Sequence, residues 1–293
     1  MIFAVKRLQK AKTMSKLSNL PLVGALCASA LLLLLSCQKD SIVLPNFTRA
    51  DQEKMGQLIE AELFADQVFQ ILPQTSPNDS MIYWYVQNLY NQATQTMRLD
   101  LSSPKSNRWQ ENRLWEVKII DDDLEKIAFV LPGGNLYLST GLLKSLEREY
   151  ELYYFLTFES TLMHEDFLLN RLIREYNSIT IQNVVDGTAA ANAITIDIIT
   201  EELPSLIFEP TFVEEIDQLT VRNICQTSIY NNNGLVPFLL EPTNANAAWL
   251  SSRQTYSNRA SHIQGIEVQG SISCGDKTGS GNYQNYVLSM LED

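Results

Sequence analysis

A helix can hold a hydrolytic zinc ion when two histidines at i and i+4, about 40° apart around its axis, reach one metal and a glutamate between them activates the bound water. The stretch ELYYFLTFESTLMHEDF, residues 151–167, keeps only part of that pattern. Glu159 stands where the catalytic base would be, but Phe158 precedes it and Leu162 follows where the histidines are needed. A genuine His-Glu pair, His164-Glu165, comes six residues after Phe158, and its second histidine would fall on Leu168. His164 lies about 240° around the helix from Phe158, so it cannot stand in for the missing ligand. A lone histidine of this kind is expected to sit at the surface or in a hydrogen bond. Other chemistries find no support: there are two histidines in the chain, no G-x-S-x-G and no phosphate-binding glycine loop.

The elements that would position these residues follow from periodicity. RADQEKMGQLIEAELFADQVFQIL has apolar residues at Met55, Leu58, Ile59, Leu63 and Phe64, the spacing of a helix running to Leu72. SMIYWYVQNLYNQATQTM is a second helix with Ile82, Val86, Leu89 and Tyr90 on one stripe. RLWEVKIIDD alternates and is β-rich, and KIAFVL and NLYLST read as two strands joined by Pro132-Gly133-Gly134, whose glycines can take the positive φ of a turn. From Thr140 to Tyr176 the pattern is helical, with a break near EREYE. Further helices are expected at 193–202, 211–230 and 243–263, and GSISCGDKTGSGNYQN near the C-terminus reads as a loop. Helices around one small sheet make an α+β domain over residues 51–293.

The order of these segments resembles one family. EKMGQLIEAEL, IYWYVQNLYNQA, LWEVKIIDD, AFVLPGGNLYLSTGLL and YELYYFLTFE follow one another as in the zinc metallopeptidases that include the CAAX prenyl protease and HtpX. The match runs from about residue 51 to 265, and AFVLPGGNLYLSTGLL is its most specific part. The resemblance implies a mainly helical, zincin-like fold with a small sheet. It places the HExxH motif on Phe158–Leu162, with Glu159 as a relict general base. The family's third ligand, a Glu four residues before an Asp, falls on Val213 of FVEEID, with Asp217 at the supporting position. Near TYSNRASHIQGI, Arg259 matches the family's Arg, while Arg253 and Gln254 occupy its His-Pro positions. All three ligand positions are apolar, so the resemblance implies a member that binds no zinc and does not cleave peptides. The implied role is a peptide- or protein-binding one, with a groove beside the Pro132-Gly133-Gly134 hairpin that takes an extended chain by strand addition. The alternatives are an active zinc endopeptidase with an atypical metal set drawn from His164, Glu159, Glu214, Glu215 and Asp217, and a purely structural envelope lipoprotein.

The N-terminus says where such a domain would work. Lys6, Arg7, Lys10, Lys12 and Lys16 precede an apolar run ending Leu34-Leu35-Ser36-Cys37, the pattern of a bacterial lipoprotein signal over residues 1–37, with lipidation at Cys37. A membrane-spanning anchor is the alternative, Met14 is a second candidate start, and Cys27, preceded by Leu26, is a poorer lipidation site. Residues 38–50 then form a tether, and Gln38 favours the outer membrane. Processing removes five cations and no acid, so 17 Lys and Arg face 34 Asp and Glu. That acidity argues against nucleic acid as a partner. Cys225 and Cys274 remain, and an even count in an oxidising compartment suggests a disulfide, two free thiols being the alternative.

Overall fold

The computed structural model describes residues 47–65, 69–99, 115–187, 191–253, 255–268 and 273–292. The signal segment, Met14, Cys27, Cys37 and Gln254 lie outside them. The architecture is α+β, mostly helical, with one three-stranded mixed sheet.

Helix α1, Arg49–Ala65, opens at a capping box in which Thr48 and Asp51 exchange hydrogen bonds between backbone and side chain. It buries Gln52, Met55, Gly56, Ile59 and Leu63, one helical stripe. Phe47 is already buried, so the domain begins inside the span expected as tether. The helix ends earlier than the periodicity predicts. Residues 70–72 instead lie along the sheet: Ile71 bridges Ile120, Leu72 N donates to Ile119 O at 2.8 Å, and Asp121 N donates to Gln70 O at 2.7 Å. Pro73 disfavours helix at Leu72, and an otherwise open strand edge offers the backbone groups of this segment partners. Helix α2, Pro77–Leu99, starts at a second box between Ser76 and Asp79, with proline at its first position.

The sheet has the order β1 (Val117–Ile120), β3 (Leu136–Ser139), β2 (Ala128–Val130), parallel between β1 and β3 and antiparallel between β2 and β3. Gly133 and Gly134 close the hairpin with φ of 91° and 103°. A Cβ on Gly134 would lie 2.4 Å from the Trp115 ring, so both conformation and space demand glycine there. Ser139 then caps α3, Thr140–Lys144, by accepting from Leu142 N. The expected break falls at Ser145–Arg148, before α4, Glu149–His164, whose residues are all buried. A helix buried on every face is the axis of its domain. α2, β2 and α8 (Pro210–Thr227) pack around it.

Beyond α4 run α5 (Phe167–Tyr176), α6 (Ser178–Asp186) and α7 (Ala191–Glu202). The periodicity did not predict α6, although Asn177 caps its start and Gly187, at φ 70°, ends it. α8 stops at Ser228, which takes φ 52°. The single helix expected over 243–263 does not form. In its place a 3-10 turn, Pro242–Asn244, follows the short α9, Leu235–Leu240, and precedes α10 (Ala248–Ser252) and α11 (Arg259–Gly265). The chain bends between α10 and α11, with Asn258 at φ 60° and Arg253 bridging Phe208, because both Arg253 and Arg259 are drawn inward. The segment expected as a Gly/Ser-rich loop is helical from Ser280, through α12 (Ser280–Tyr283), a π-turn (Gln284–Leu288) and α13 (Ser289–Leu291). The residues before it, 273–279, are neither helix nor strand, and Gly279 takes φ 67°. Lys277 bridges Tyr230, and Cys274 is joined to Cys225 by a disulfide.

Candidate functional site

Phe158, Leu162 and Val213 are fully buried, the first two on α4 and the third on α8. None carries a metal-donor atom. Phe158 meets the Trp249 ring edge-on at 5.2 Å, with the Arg259 guanidinium 5.6 Å above it. Trp249, on α10, also packs edge-on against Phe155 at 4.6 Å and Phe238 at 6.3 Å. An aromatic cluster therefore fills the space beside the carboxylate.

Glu159 is itself wholly buried and fully engaged. Its Oε1 accepts from Trp249 Nε1 at 2.8 Å, Arg253 Nη2 at 3.0 Å and Arg253 Nε at 3.2 Å, and its Oε2 accepts from Arg253 Nη2 at 2.9 Å. From the sequence, a carboxylate among Phe158, Leu162 and Val213 is expected to reach solvent or pair with a cation, with Arg259 the first candidate through the resemblance. The partner is Arg253, the residue standing where the resemblance calls for histidine. Arg253 is 2% exposed, donates further to Ser252 Oγ at 3.1 Å and Leu206 O at 3.4 Å, and lies over the Phe208 ring at 4.8 Å.

Arg259 pairs instead with Asp217. Nε donates to Oδ2 at 2.8 Å and Nη2 to Oδ1 at 3.0 Å, a two-pronged fork of the strong charge-assisted kind. Tyr154 and Tyr256 hydroxyls each donate to the same carboxylate at 3.0 Å. Burial, with Asp217 adding to it, holds the Tyr154 hydroxyl well above the ordinary tyrosine range, so it stays a donor. Burial would lower the Arg259 pKa, but Asp217, Tyr154 and Tyr256 together more than offset this and raise it. The two ion pairs touch through Arg259 Nη1, which donates to Arg253 O at 3.4 Å. The cluster is thus two buried cations on two buried carboxylates. Each carboxylate oxygen is satisfied, as burial at this depth requires.

Sequence reasoning named Glu159, Asp217 and Arg259 but assigned Arg253 no role, and it overlooked Trp249. The signal was present: two arginines in an arginine-poor stretch, within six residues of each other and at the C-terminal side of a tryptophan.

The remaining candidates scatter. His164 is 3% exposed, with Nδ1 3.1 Å from Glu165 Oε1, so it is buried and hydrogen-bonded at the far end of α4. Glu214 faces His262 at 3.8 Å, and Glu215 lines an open cavity of about 810 Å³ with Arg222, His262 and Ile266 on the outer side of α8. Among the described residues no three His, Cys, Asp or Glu side chains converge as metal ligands. The residues present do not fit a zinc ion: the ligand positions offer no donor atoms, and the one retained carboxylate is committed to a guanidinium and an indole.

The groove expected beside the hairpin is also corrected. Residues 128–131 of β2 and its extension are 1–2% exposed, because α4 and the 3-10 turn Leu203–Ser205 cover the strand. On the turn itself α1 sits too close. A Cβ on Gly56 would lie 1.9 Å from Pro132 O, and the cavity beside Pro132 and Gly133 is about 10 Å³. Glu60 of α1 accepts from Asn135 Nδ2 at 3.2 Å and from Tyr137 OH at 2.9 Å, which clamps the hairpin down. No extended peptide can add to that edge while it is covered. No protein-family model matches this chain, and no curated protein matches it in sequence.

Proposed function

We propose that this chain is a catalytically silent relative of the zinc metallopeptidases of the CAAX prenyl protease and HtpX type, with a zincin-like fold, held on the bacterial outer membrane through a lipidated Cys37. It acts by binding another envelope protein rather than by cleaving one. The observation that carries the reading is the fork of Arg253 on Glu159. A general base must be free to take a proton from water, and this carboxylate is buried, bonded to a cation and shielded by an indole. Support for the relationship comes from the order of elements: a hairpin closed by Pro132-Gly133-Gly134, a helix start at Thr140-Gly141-Leu142-Leu143, then the helix bearing Glu159 beside the one bearing Val213 and Asp217.

The test is elemental analysis and proteolysis on the purified mature protein. The expected result is no stoichiometric zinc after dialysis against the metal and no chelator-sensitive cleavage of a casein-like substrate. About one zinc per chain with such cleavage would replace this reading by the active endopeptidase.

A further inference from the structure

The chain carries 34 acidic and 22 basic residues in 293. Several stretches have none, and two of them meet in the fold. Residues 80–97, most of α2, and residues 278–291, the C-terminal helical run, contain no Asp, Glu, Lys or Arg. The fold lays these stretches side by side, the π-turn and α13 running along α2. The Tyr286 ring stacks on Tyr85 at 5.4 Å and meets Trp84 edge-on at 6.3 Å. The apolar members of this surface face outward: Trp84 is 58% exposed, Met81 37% and Tyr286 36%. Exposed amides of Asn88 and Gln284 lie on the same two elements. The charges that border the C-terminal run are Lys277, which precedes it, the buried Glu149 carboxylate that Lys277 pairs with and Tyr85 OH donates to, Glu147 and Arg148, which line a cavity with Gln284 and Leu288, and Glu292 beyond α13.

Tryptophan and tyrosine among uncharged amides are the composition that settles at a membrane–water boundary, where the ring is desolvated and its polar edge stays wet. An anionic leaflet repels the acidic parts of a protein, so a face built from uncharged stretches meets little of that repulsion. The tether adds a distance. With Cys37 acylated, nine residues separate it from Phe47, a reach of at most about 35 Å. The unit Leu44–Asp293 is on the order of 45 Å across, so it cannot move away from the bilayer by its own width.

We propose that this uncharged face rests on phospholipid, with Trp84 and Tyr286 at headgroup depth, so that lipid anchor and protein face together fix the domain's orientation. The proposal rests on the lipoprotein reading above. To test it, the membrane-extracted protein is checked by mass for acylation at Cys37, then reconstituted into phosphatidylethanolamine/phosphatidylcholine vesicles with and without brominated acyl chains. Tryptophan emission is compared between the native chain and Trp84→Phe. Of the other three tryptophans, Trp115 and Trp249 are buried and Trp109 lies outside the described residues, so the Trp84 signal is read as the difference between the native chain and Trp84→Phe. Bromine quenching should be present in the native chain and mostly lost in Trp84→Phe. An acylated protein with no quenching, or with equal quenching in both, overturns this proposal and leaves the anchor standing. Protection of Trp84 from acrylamide only on adding envelope protein overturns it in favour of a protein partner. An unacylated Cys37 removes the anchor and this face's role together.

Discussion

Helix α4 carries buried carboxylates in both halves, and two of them, Glu149 and Glu159, are neutralised by different means. Glu149, in the first turn, accepts from Tyr230 OH at 2.7 Å, from Tyr85 OH and from Lys277 Nζ at 2.5 Å. Lys277 keeps 43% of its side chain in solvent, and the helix N-terminus adds its own favourable field. Glu159, ten residues on, has no such field and no route to water, and only a guanidinium fork with an indole suffices. A carboxylate at a helix start can be held by hydroxyls and a half-wet lysine. One in mid-helix needs a whole buried cation. The first arrangement is therefore adjustable by pH and solvent, and the second is sealed from solvent.

Removing one partner from the closed pair should cost most. Arg253→Ala leaves Glu159 buried without a cation, and chemical denaturation should show a loss of about 3–5 kcal/mol. A loss below about 1 kcal/mol would mean that water reaches the site and would erase the contrast. Cutting the tie that holds the other end should come next. Cys225→Ser opens a disulfide spanning 49 residues, which in the chain-entropy view contributes on the order of 4 kcal/mol. Because Cys274 leads directly into Lys277, proteolysis of this variant should begin in the C-terminal segment, as limited digestion with mass analysis would show.

Replacing both members of the closed pair by Glu159→Leu and Arg253→Met should recover most of what the single change loses, since an apolar filling of similar volume escapes the desolvation cost. Failure to recover would show that the fork also sets the path of the chain between α10 and α11.

The smallest effect belongs to the open end. Burial pushes Glu149 upward, but Lys277, Tyr85 and Tyr230 together hold it below the ordinary value of 4.5. A depressed folded value means that this stabilisation is present above pH 4.5 and is lost as pH falls through the lower folded value. Denaturation midpoints should thus fall on acidification below that point in the native chain and fall less in Glu149→Gln. Lys277→Ala at neutral pH should cost about 1 kcal/mol or less, because the ammonium is partly solvated.

The legible parts were those governed by local pattern. The strands, the Pro-Gly-Gly turn and α4 follow from β-branched alternation, two adjacent glycines and an unbroken apolar run, and none of these needs a distant partner. The failures share a cause. Residues 70–72 continue a helical stripe and yet join the sheet, because the edge of β1 is contributed from nearly fifty residues away. The stretch 243–263 keeps a helical composition, but Arg253 and Arg259 are recruited by carboxylates on α4 and α8 and bend it. At the site, the positions carrying Glu159, Phe158, Leu162, Val213 and Asp217 could be named through the resemblance. Which cation answers which acid could not, because that depends on how two short helices turn between them.

The Arg253 fork also has a historical consequence if the chain descends from a metal-binding ancestor. Histidines restored at 158 and 162 and a glutamate at 213 would rebuild the ligands around a carboxylate that is already taken. An incoming metal would have to evict the guanidinium, which would then be a second positive charge stranded in the core. On that descent a path back must change Arg253 before or together with the ligands, and changing it first leaves Glu159 buried without its cation. The salt bridge works as a ratchet: a lineage that acquires it can drift further from catalysis more easily than it can return.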